Sequence, residues 1–246
     1  CRLANVHAGQ RSIWIYDSSK SDKTQIWAEN VHTTPQGTTF KPVIPHESLE
    51  QITVPLWGDF AIQTTLAALA SAQLHGVSLQ DAATSLRNFQ GIKRRLEVRL
   101  CLDQLTLVDD FGHHPTAIGA TLKAARQRWP QHRIWAIFEP RSATCRRNIH
   151  QHDLAQALAL ADMVVIGSHE RLDEIPLAER FSPEQTALEA QEHGAQAVAI
   201  PCVDHIEQHI IKHLRSHDLI LVFSNGDFGG LIAKLIKNLP LAKAMA

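Results

Sequence analysis

Two carboxylates and two imidazoles, Asp109, Asp110, His113 and His114, fall within six consecutive positions of a 246-residue chain. Acids and histidines so closely spaced can accept from ribose hydroxyls, donate to phosphate oxygens and exchange protons near neutrality. The apolar run Leu105 to Val108 precedes them and Pro115 follows, with Ile118, Leu122 and Ala125 recurring at helical spacing behind it. Pro suits the first position of a helix, where its missing N–H costs nothing and its φ is already set. The polar cluster is therefore expected to cap a strand-to-helix turn, whose free N–H groups and helix dipole favour an anion. A plainer reading fits the same residues: Asp110 and His114 cap the helix and pair with each other.

Three other stretches carry groups of similar promise. Lys93, Arg94 and Arg95 precede Glu97; a guanidinium fork matches phosphate oxygens, although a solvated basic turn has the same composition. Phe138-Glu139-Pro140-Arg141-Ser142 offers an arginine for a carboxylate or phosphate, or else a solvated ion pair. In Phe223-Ser224-Asn225-Gly226-Asp227-Phe228-Gly229-Gly230, small residues let backbone approach a ligand closely, and a bare glycine-rich helix start is the alternative. His205, His209, His213 and His217 recur every four residues, a spacing that lets neighbours share a zinc. Yet Ile206, Ile210 and Leu214 form the parallel apolar stripe, and no separated third ligand is evident, so we expect half-exposed helix histidines and no metal.

The elements that must position these groups alternate after Val98. Strands are expected at Val98–Leu102, Leu105–Val108, Ile134–Phe138, Met163–Ile166, Ala197–Ile200 and Leu219–Phe223, and helices at about 115–128, 148–160, 183–193, 203–215 and 229–239. The later strands are almost wholly apolar, as in sheets covered on both faces, and the alternation predicts an α/β, doubly wound, Rossmann-like domain over 91–246. Ligand loops should then follow the strands' carboxyl ends, at Asp109–His114, Glu139–Thr144, Gly167–Asp173 and Ser224–Gly230. Residues 1–90 read differently: short strands at Ser12–Tyr16, Gln25–Ala28 and Thr38–Phe40, separated by turns at Asp17–Ser19 and Pro35–Gly37, then two helices. The first helix ends at Gly76 and the second opens at Ser78 with Asp81 three positions on. This sheet is a structural scaffold or one wall of a cleft.

Composition excludes some classes of function. A net charge of -1 and 44% hydrophobic content leave no basic field for nucleic acid or an anionic membrane. No apolar run approaches the roughly 20 residues that span a bilayer. Cys1, Cys101, Cys145 and Cys202 are scattered without CxxC spacing, which points to reduced thiols and a cytoplasmic protein.

Asp109-Asp110-Phe111-Gly112-His113-His114-Pro115-Thr116-Ala117-Ile118, preceded by Phe89-Gln90-Gly91-Ile92-Lys93-Arg94-Arg95-Leu96-Glu97, resembles the junction between the central and C-terminal domains of the Mur ligases. The motifs at Phe138 and Phe223 also resemble that family, in the branch that joins UDP-N-acetylmuramate to L-alanyl-γ-D-glutamyl-meso-diaminopimelate, the murein tripeptide. The resemblance implies a partial central domain, an interdomain hinge at Phe89–Arg95, and an ATP-dependent amide ligase of peptidoglycan recycling using Mg²⁺. The lactyl carboxylate becomes an acyl phosphate, and the L-Ala amine then attacks it. The resemblance further implies that Arg95, steadied by Glu97, reaches the nucleotide phosphates and that Asp110 bonds the ribose. His113 and His114 are the catalytic candidates, while Arg141, Ser142, Ser224 and Asn225 meet substrate. Arg171 sits where a related ligase recognises diaminopimelate. The family's adenine-contacting motif has His and two Asn where this chain has Phe60, Ala61 and Thr64, which leaves Thr64 as the polar contact to ATP. Two alternatives stay open, namely the L-alanine-adding branch, which shares the Asp-Asp-x-x-His-His-Pro-Thr pattern, and a non-catalytic Rossmann-like binding module. No Gly-x-x-Gly-Lys-Thr/Ser loop occurs in the chain and it starts at Cys1. We therefore expect a C-terminal portion that supplies the lid and peptide-binding half, is inactive alone, and leaves Mg²⁺ mainly to residues ahead of Cys1.

Overall fold

The computed structural model describes residues 2–7, 10–15, 20, 26–44, 47–103, 105–168 and 170–244. They form two compact units, Cys1–Gly91 and Ile92–Ala246. In the first, β1 (Arg2–His7) and β2 (Gln10–Ile15) pair antiparallel. A second sheet is built on β4 (Gly37–Ile44), which pairs antiparallel with β3 (Trp27–Thr34), β5 (Glu47–Ser48) and β6 (Ile52–Val54). The expected strand at Ser12–Tyr16 lies in β2 up to Ile15; Tyr16, the turn Asp17–Ser19 and Gln25 lie outside the described residues. Two helices, α1 (Asp59–Leu74) and α2 (Leu79–Arg87), complete the unit, and Phe40, Ile52, Leu66, Leu69 and Leu79 share its core. Gly76 takes φ +76 and closes α1, its N–H on the Gln73 carbonyl and that of Val77 on Ala72. That paired closure is what a glycine past a helix end permits. Ser78 caps α2 by accepting the Asp81 N–H at 3.1 Å.

The second unit is a six-stranded sheet in the order β11-β10-β9-β12-β8-β7: β7 (Glu97–Leu102), β8 (Leu105–Asp110), β9 (Arg133–Phe138), β10 (Met163–Ile166), β11 (Gln196–Ala199) and β12 (Asp218–Phe223). β7 is the antiparallel edge and the other five run parallel. Every residue of β8 and β12 is buried, because helices cover both faces. On one side α3 (Pro115–Arg128), α4 (Gln151–Leu158) and α5 (Pro183–Glu192) pack Ile118, Leu122, Leu154, Leu158 and Ala190 against Val108, Ala136, Phe138 and Leu221. On the other, α6 (Val203–His213) and α7 (Leu231–Ala244) set Ile206, Ile210, Leu231 and Leu235 against Leu107, Trp135, Ile137 and Val222. The architecture is the doubly wound α/β fold that the alternation predicts.

The strand expected at Gln25–Ala28 is β3, which runs on to Thr34 because it pairs with β4 from Val43 to Gly37, and four boundaries of the second unit differ from the sequence reading by a functional group or a turn. Asp109 and Asp110 belong to β8, so the strand does not stop at Val108. α4 begins at Gln151, after a 3₁₀ turn at Asn148–His150, because Arg147 is held extended in a bridge to Arg180. α7 begins at Leu231, behind Gly229 and Gly230 at φ +56 and +75, a left-handed backbone that an α-helix does not take. α6 ends at His213, whose carbonyl accepts from Arg133 at 2.8 Å, while the Asp218 carboxylate captures the Arg215 N–H at 2.8 Å. His217 therefore stands beyond the helix, and the four histidines do not share one face. Among the described residues no helix is long and apolar enough to cross a membrane.

Candidate functional site

In the second unit β12 lies between β8 and β9. The helices after β8 and β9 take one face and the helix after β12 the other, so the carboxyl ends of these strands are where a sheet of this topology has its crevice. This is the switch point at which open α/β sheets bind ligands. Register brings Asp110, Phe223 and Phe138 to one level. The next backbone bonds, Ser224 N–H to the Asp110 carbonyl at 3.1 Å and Glu139 N–H to the Phe223 carbonyl at 3.0 Å, tie all three loops together at their roots. Asp110, Glu139, Arg141, Ser142, Ser224 and Asn225 thus come from adjacent strand ends.

Asp110 has a local task. It is 2% exposed, and its two carboxylate oxygens accept the N–H groups of Leu96 at 2.9 Å and Gly112 at 2.7 Å. Burial raises its pKa above the ordinary value, against the lowering effect of those two N–H groups and of Arg95. Gly112 suits this turn because a Cβ there would stand 2.8 Å from the Asp110 carboxylate. Asp109, also buried, ion-pairs with Arg94 at 3.4 Å and Arg99 at 3.3 Å.

Arg94, read from sequence only as one of three basic residues, is the main tie between loops. It adopts φ +58, and its N–H donates to Glu97 at 2.7 Å. Its guanidinium donates to the carbonyls of Ser224 and of Gly226, the latter at 2.7 Å. Glu97 was expected to steady Arg95, and its carboxylate is instead engaged by the Arg94 backbone and lies 4.0 Å from Arg99. A side chain at φ +58 is redirected relative to an extended one, which exchanges the roles of neighbouring arginines. Arg95 itself is exposed, its guanidinium 5.7 Å from the Phe111 ring centroid, with Arg94 at 5.2 Å from the same ring.

The glycine-rich loop is held from the β9 side as well. Ser224, 2% exposed, donates its hydroxyl to Glu139 Oε2 and accepts the Gly226 N–H at 2.9 Å. Glu139 is 4% exposed, and its other oxygen, Oε1, lies 3.8 Å from Arg141 Nη1. Arg141 reaches Asp227 at 3.5 Å on its other side and lies flat over Gly226, where a Cβ would stand 2.4 Å from its guanidinium. Asn225 Oδ1 is buried without a hydrogen-bond partner. Ser142 accepts the Cys145 N–H at 3.1 Å and serves the turn. Burial pushes the Cys145 thiol up, and it donates to the His113 carbonyl at 2.9 Å.

The two histidines of the motif part company. His113 is half-buried with Nδ1 3.1 Å from the Phe111 carbonyl. His114 is exposed, caps α3 by accepting the Thr116 N–H at 3.3 Å, and rests its ring 4.8 Å from that of His150. Arg171 pairs with Glu174 at 3.0 Å. In the first unit, Thr64 is exposed and its hydroxyl donates to the Phe60 carbonyl at 2.6 Å; Phe60 is 42% exposed and Ala61 is buried. Among the described residues no group of three or more His, Cys, Asp or Glu is placed to hold a metal ion.

The family described as Mur ligase, glutamate ligase domain, matches residues 94–226, the stretch that holds the β8 and β9 loops and the first residues of the β12 loop. The UDP-N-acetylmuramate–L-alanyl-γ-D-glutamyl-meso-2,6-diaminoheptandioate ligase of Haemophilus influenzae is 34% identical over 200 residues, covering 79% of this chain and 41% of that protein. The UDP-N-acetylmuramate–L-alanine ligase of Leuconostoc citreum is 35% identical over 153 residues, or 62% of this chain and 34% of that one. Among solved structures, the murein peptide ligase of Psychrobacter arcticus superposes with a TM-score of 0.64 at 31% identity, covering 89% of this chain and 45% of its own. The chain thus spans less than half the length of the relatives it matches. With over half its residues inside the family's domain, and with that domain's strand-end loops gathered at one switch point, the chain belongs to the Mur ligase family.

Proposed function

We propose that this chain is the acceptor-binding portion of an ATP-dependent amide ligase that joins UDP-N-acetylmuramate to L-alanyl-γ-D-glutamyl-meso-diaminopimelate through an acyl phosphate, in the cytoplasm. The observation that carries the reading is the convergence of the β8, β9 and β12 loops, with Arg141, Ser224 and Asn225 in one crevice. An anionic carboxylate is a poor electrophile, so phosphorylation must precede attack, and the protein's contribution is mainly positioning and charge. Arg95, exposed beside Phe111, is assigned to the nucleotide phosphates. Asp110 is assigned to a ribose hydroxyl, on the lone pairs its two N–H bonds leave free, and Thr64, in the first unit, is assigned to ATP. His113 and His114 are assigned as catalytic candidates on the turn that faces the reacting centre, and Arg141, Ser142, Ser224 and Asn225 to the peptide. Mg²⁺ supplies charge neutralisation to the phosphates when bound; no described cluster fits it, so no step here depends on ligands from this chain.

The test is a ligation assay on the gene product that carries this chain, with ATP, Mg²⁺, UDP-N-acetylmuramate and either the tripeptide or free L-alanine. Amide formed with the tripeptide, and no product from the 246-residue chain alone, is the expected result. The identity to the Leuconostoc citreum ligase favours a second reading, in which L-alanine is the acceptor; preference for L-alanine establishes that one instead.

A further inference from the structure

We propose that Glu139 is the group that receives the acceptor amine and takes its proton. The inference rests on the ligase reading above. Glu139 stands at the carboxyl end of β9, in the crevice, and is held from one side only. Ser224 donates to Oε2, while among the described residues no donor hydrogen-bonds Oε1, whose nearest cation, Arg141 Nη1, is 3.8 Å away. A carboxylate 4% exposed and short of donors on one oxygen is costly unless something completes it. Arg141 is a poor completion: its Nη1 is 3.8 Å from Oε1 without a hydrogen bond, and the same nitrogen donates to Asp227 at 3.5 Å, with the guanidinium packed over Gly226. A substrate ammonium is smaller than a guanidinium and directs three donors. It fits between Oε1 and Asp227 when Arg141 swings outward, and the freed guanidinium then meets a carboxylate of the same peptide. Arg94 keeps the loop in place through the swing, because its bonds go to the Ser224 and Gly226 carbonyls and not to Glu139.

The chemistry balances with the acyl phosphate of the proposed reaction. The R–NH₃⁺ acceptor gives one proton to Glu139 Oε1, and the nitrogen lone pair forms the C–N bond at the acyl carbon. The C–O bond to the phosphoryl group breaks with its electron pair on the departing oxygen, which takes the second N–H proton. Amide, hydrogen phosphate and protonated Glu139 result, and the carboxyl returns its proton to water. Charged groups facing Glu139 are Arg141 on its own loop and Asp227 on the β12–α7 loop.

Glu139→Gln in the intact gene product tests this, since the amide keeps the size and can still bond Ser224. General-base loss costs about 10²-fold or more in kcat, so a fall of that order is expected, with the KM for ATP unchanged and partial rescue by Glu139→Asp. Wild-type ligation with Glu139→Gln retaining its kcat overturns the assignment of Glu139 alone. A wild-type protein that ligates no amine overturns the ligase reading and this assignment together.

Discussion

The two ends of the six-stranded sheet both bury carboxylates, and they treat them oppositely. At the amino end Asp218, with 0% exposure, accepts from Arg133 Nε and Nη2 at 2.7 Å each and from the Arg215 N–H at 2.8 Å. Each oxygen is satisfied, and the bidentate fork locks β9 to β12 and ends α6. At the carboxyl end Glu139 has one oxygen bonded and the other 3.8 Å from an arginine whose hydrogen bond goes to Asp227. A satisfied buried ion pair is stabilising machinery, whereas an unsatisfied one stores readiness for a ligand. The contrast breaks if truncating either acid has the same effect. Asp218→Ala leaves the half-buried Arg133 without its counter-ion and is expected to cost about 3 kcal/mol, seen as a lowered urea midpoint for the chain. Glu139→Gln should shift that midpoint by less than roughly 1 kcal/mol, because it keeps its shape and its Ser224 partner.

Two glycines at the carboxyl end sharpen the comparison. A Cβ at Gly167 would stand 2.6 Å from the ring of Phe228, which is 2% exposed. Overpacking of this kind costs about 1–3 kcal/mol, so Gly167→Ala should unfold at measurably lower urea. The three atoms nearest a Cβ at Gly226 all belong to the Arg141 guanidinium, the first at 2.4 Å, the far end of a flexible side chain. Gly226→Ala should therefore leave the midpoint within about 0.5 kcal/mol while raising the acceptor KM in the ligation assay. A large stability loss from Gly226→Ala would show Arg141 to be fixed in place, not poised to move.

What the sequence made legible was whatever depends on local pattern. Pro115 opens α3 and Arg128 ends it as the periodicity requires, and the apolar strands β9, β10 and β12 fall where expected. The positions of the loops after β8, β9 and β12 were readable because strand ends are. What escaped was non-local. Nothing near Arg94 in the chain announces that it bonds carbonyls 130 and 132 residues away. The extension of β8 through Asp109 and Asp110 was hidden because carboxylates usually end a strand; here backbone N–H groups and two arginines offset their burial. The same blindness made His217 look helical, since the capture of Arg215 and of the His213 carbonyl by Asp218 and Arg133 decides where α6 stops.

The smallest expected effect separates the two ends by acidity. At the amino end, His132 lies 5.8 Å from the ring of His217, and His209 lies 4.4 Å from that of His213. Burial, then His217, lowers the pKa of His132 against the opposing Asp218; burial, then His213 and Lys212, lowers that of His209. Folding thus favours the neutral rings, and the unfolded chain binds more protons once pH drops below about 6.5. Their stability contribution is present above that value and lost as pH falls through it. Asp110, with its pKa raised mainly by burial, works in the opposite sense and around the carboxylate range, where rising pH lowers stability. Thermal unfolding of the chain should therefore show a modest drop in Tm from about pH 7 to about pH 5, flattened in the double variant His132→Gln, His209→Gln. A slope unchanged in that variant would assign the acid sensitivity to groups outside the amino-end histidines and remove this distinction between the two ends of the sheet.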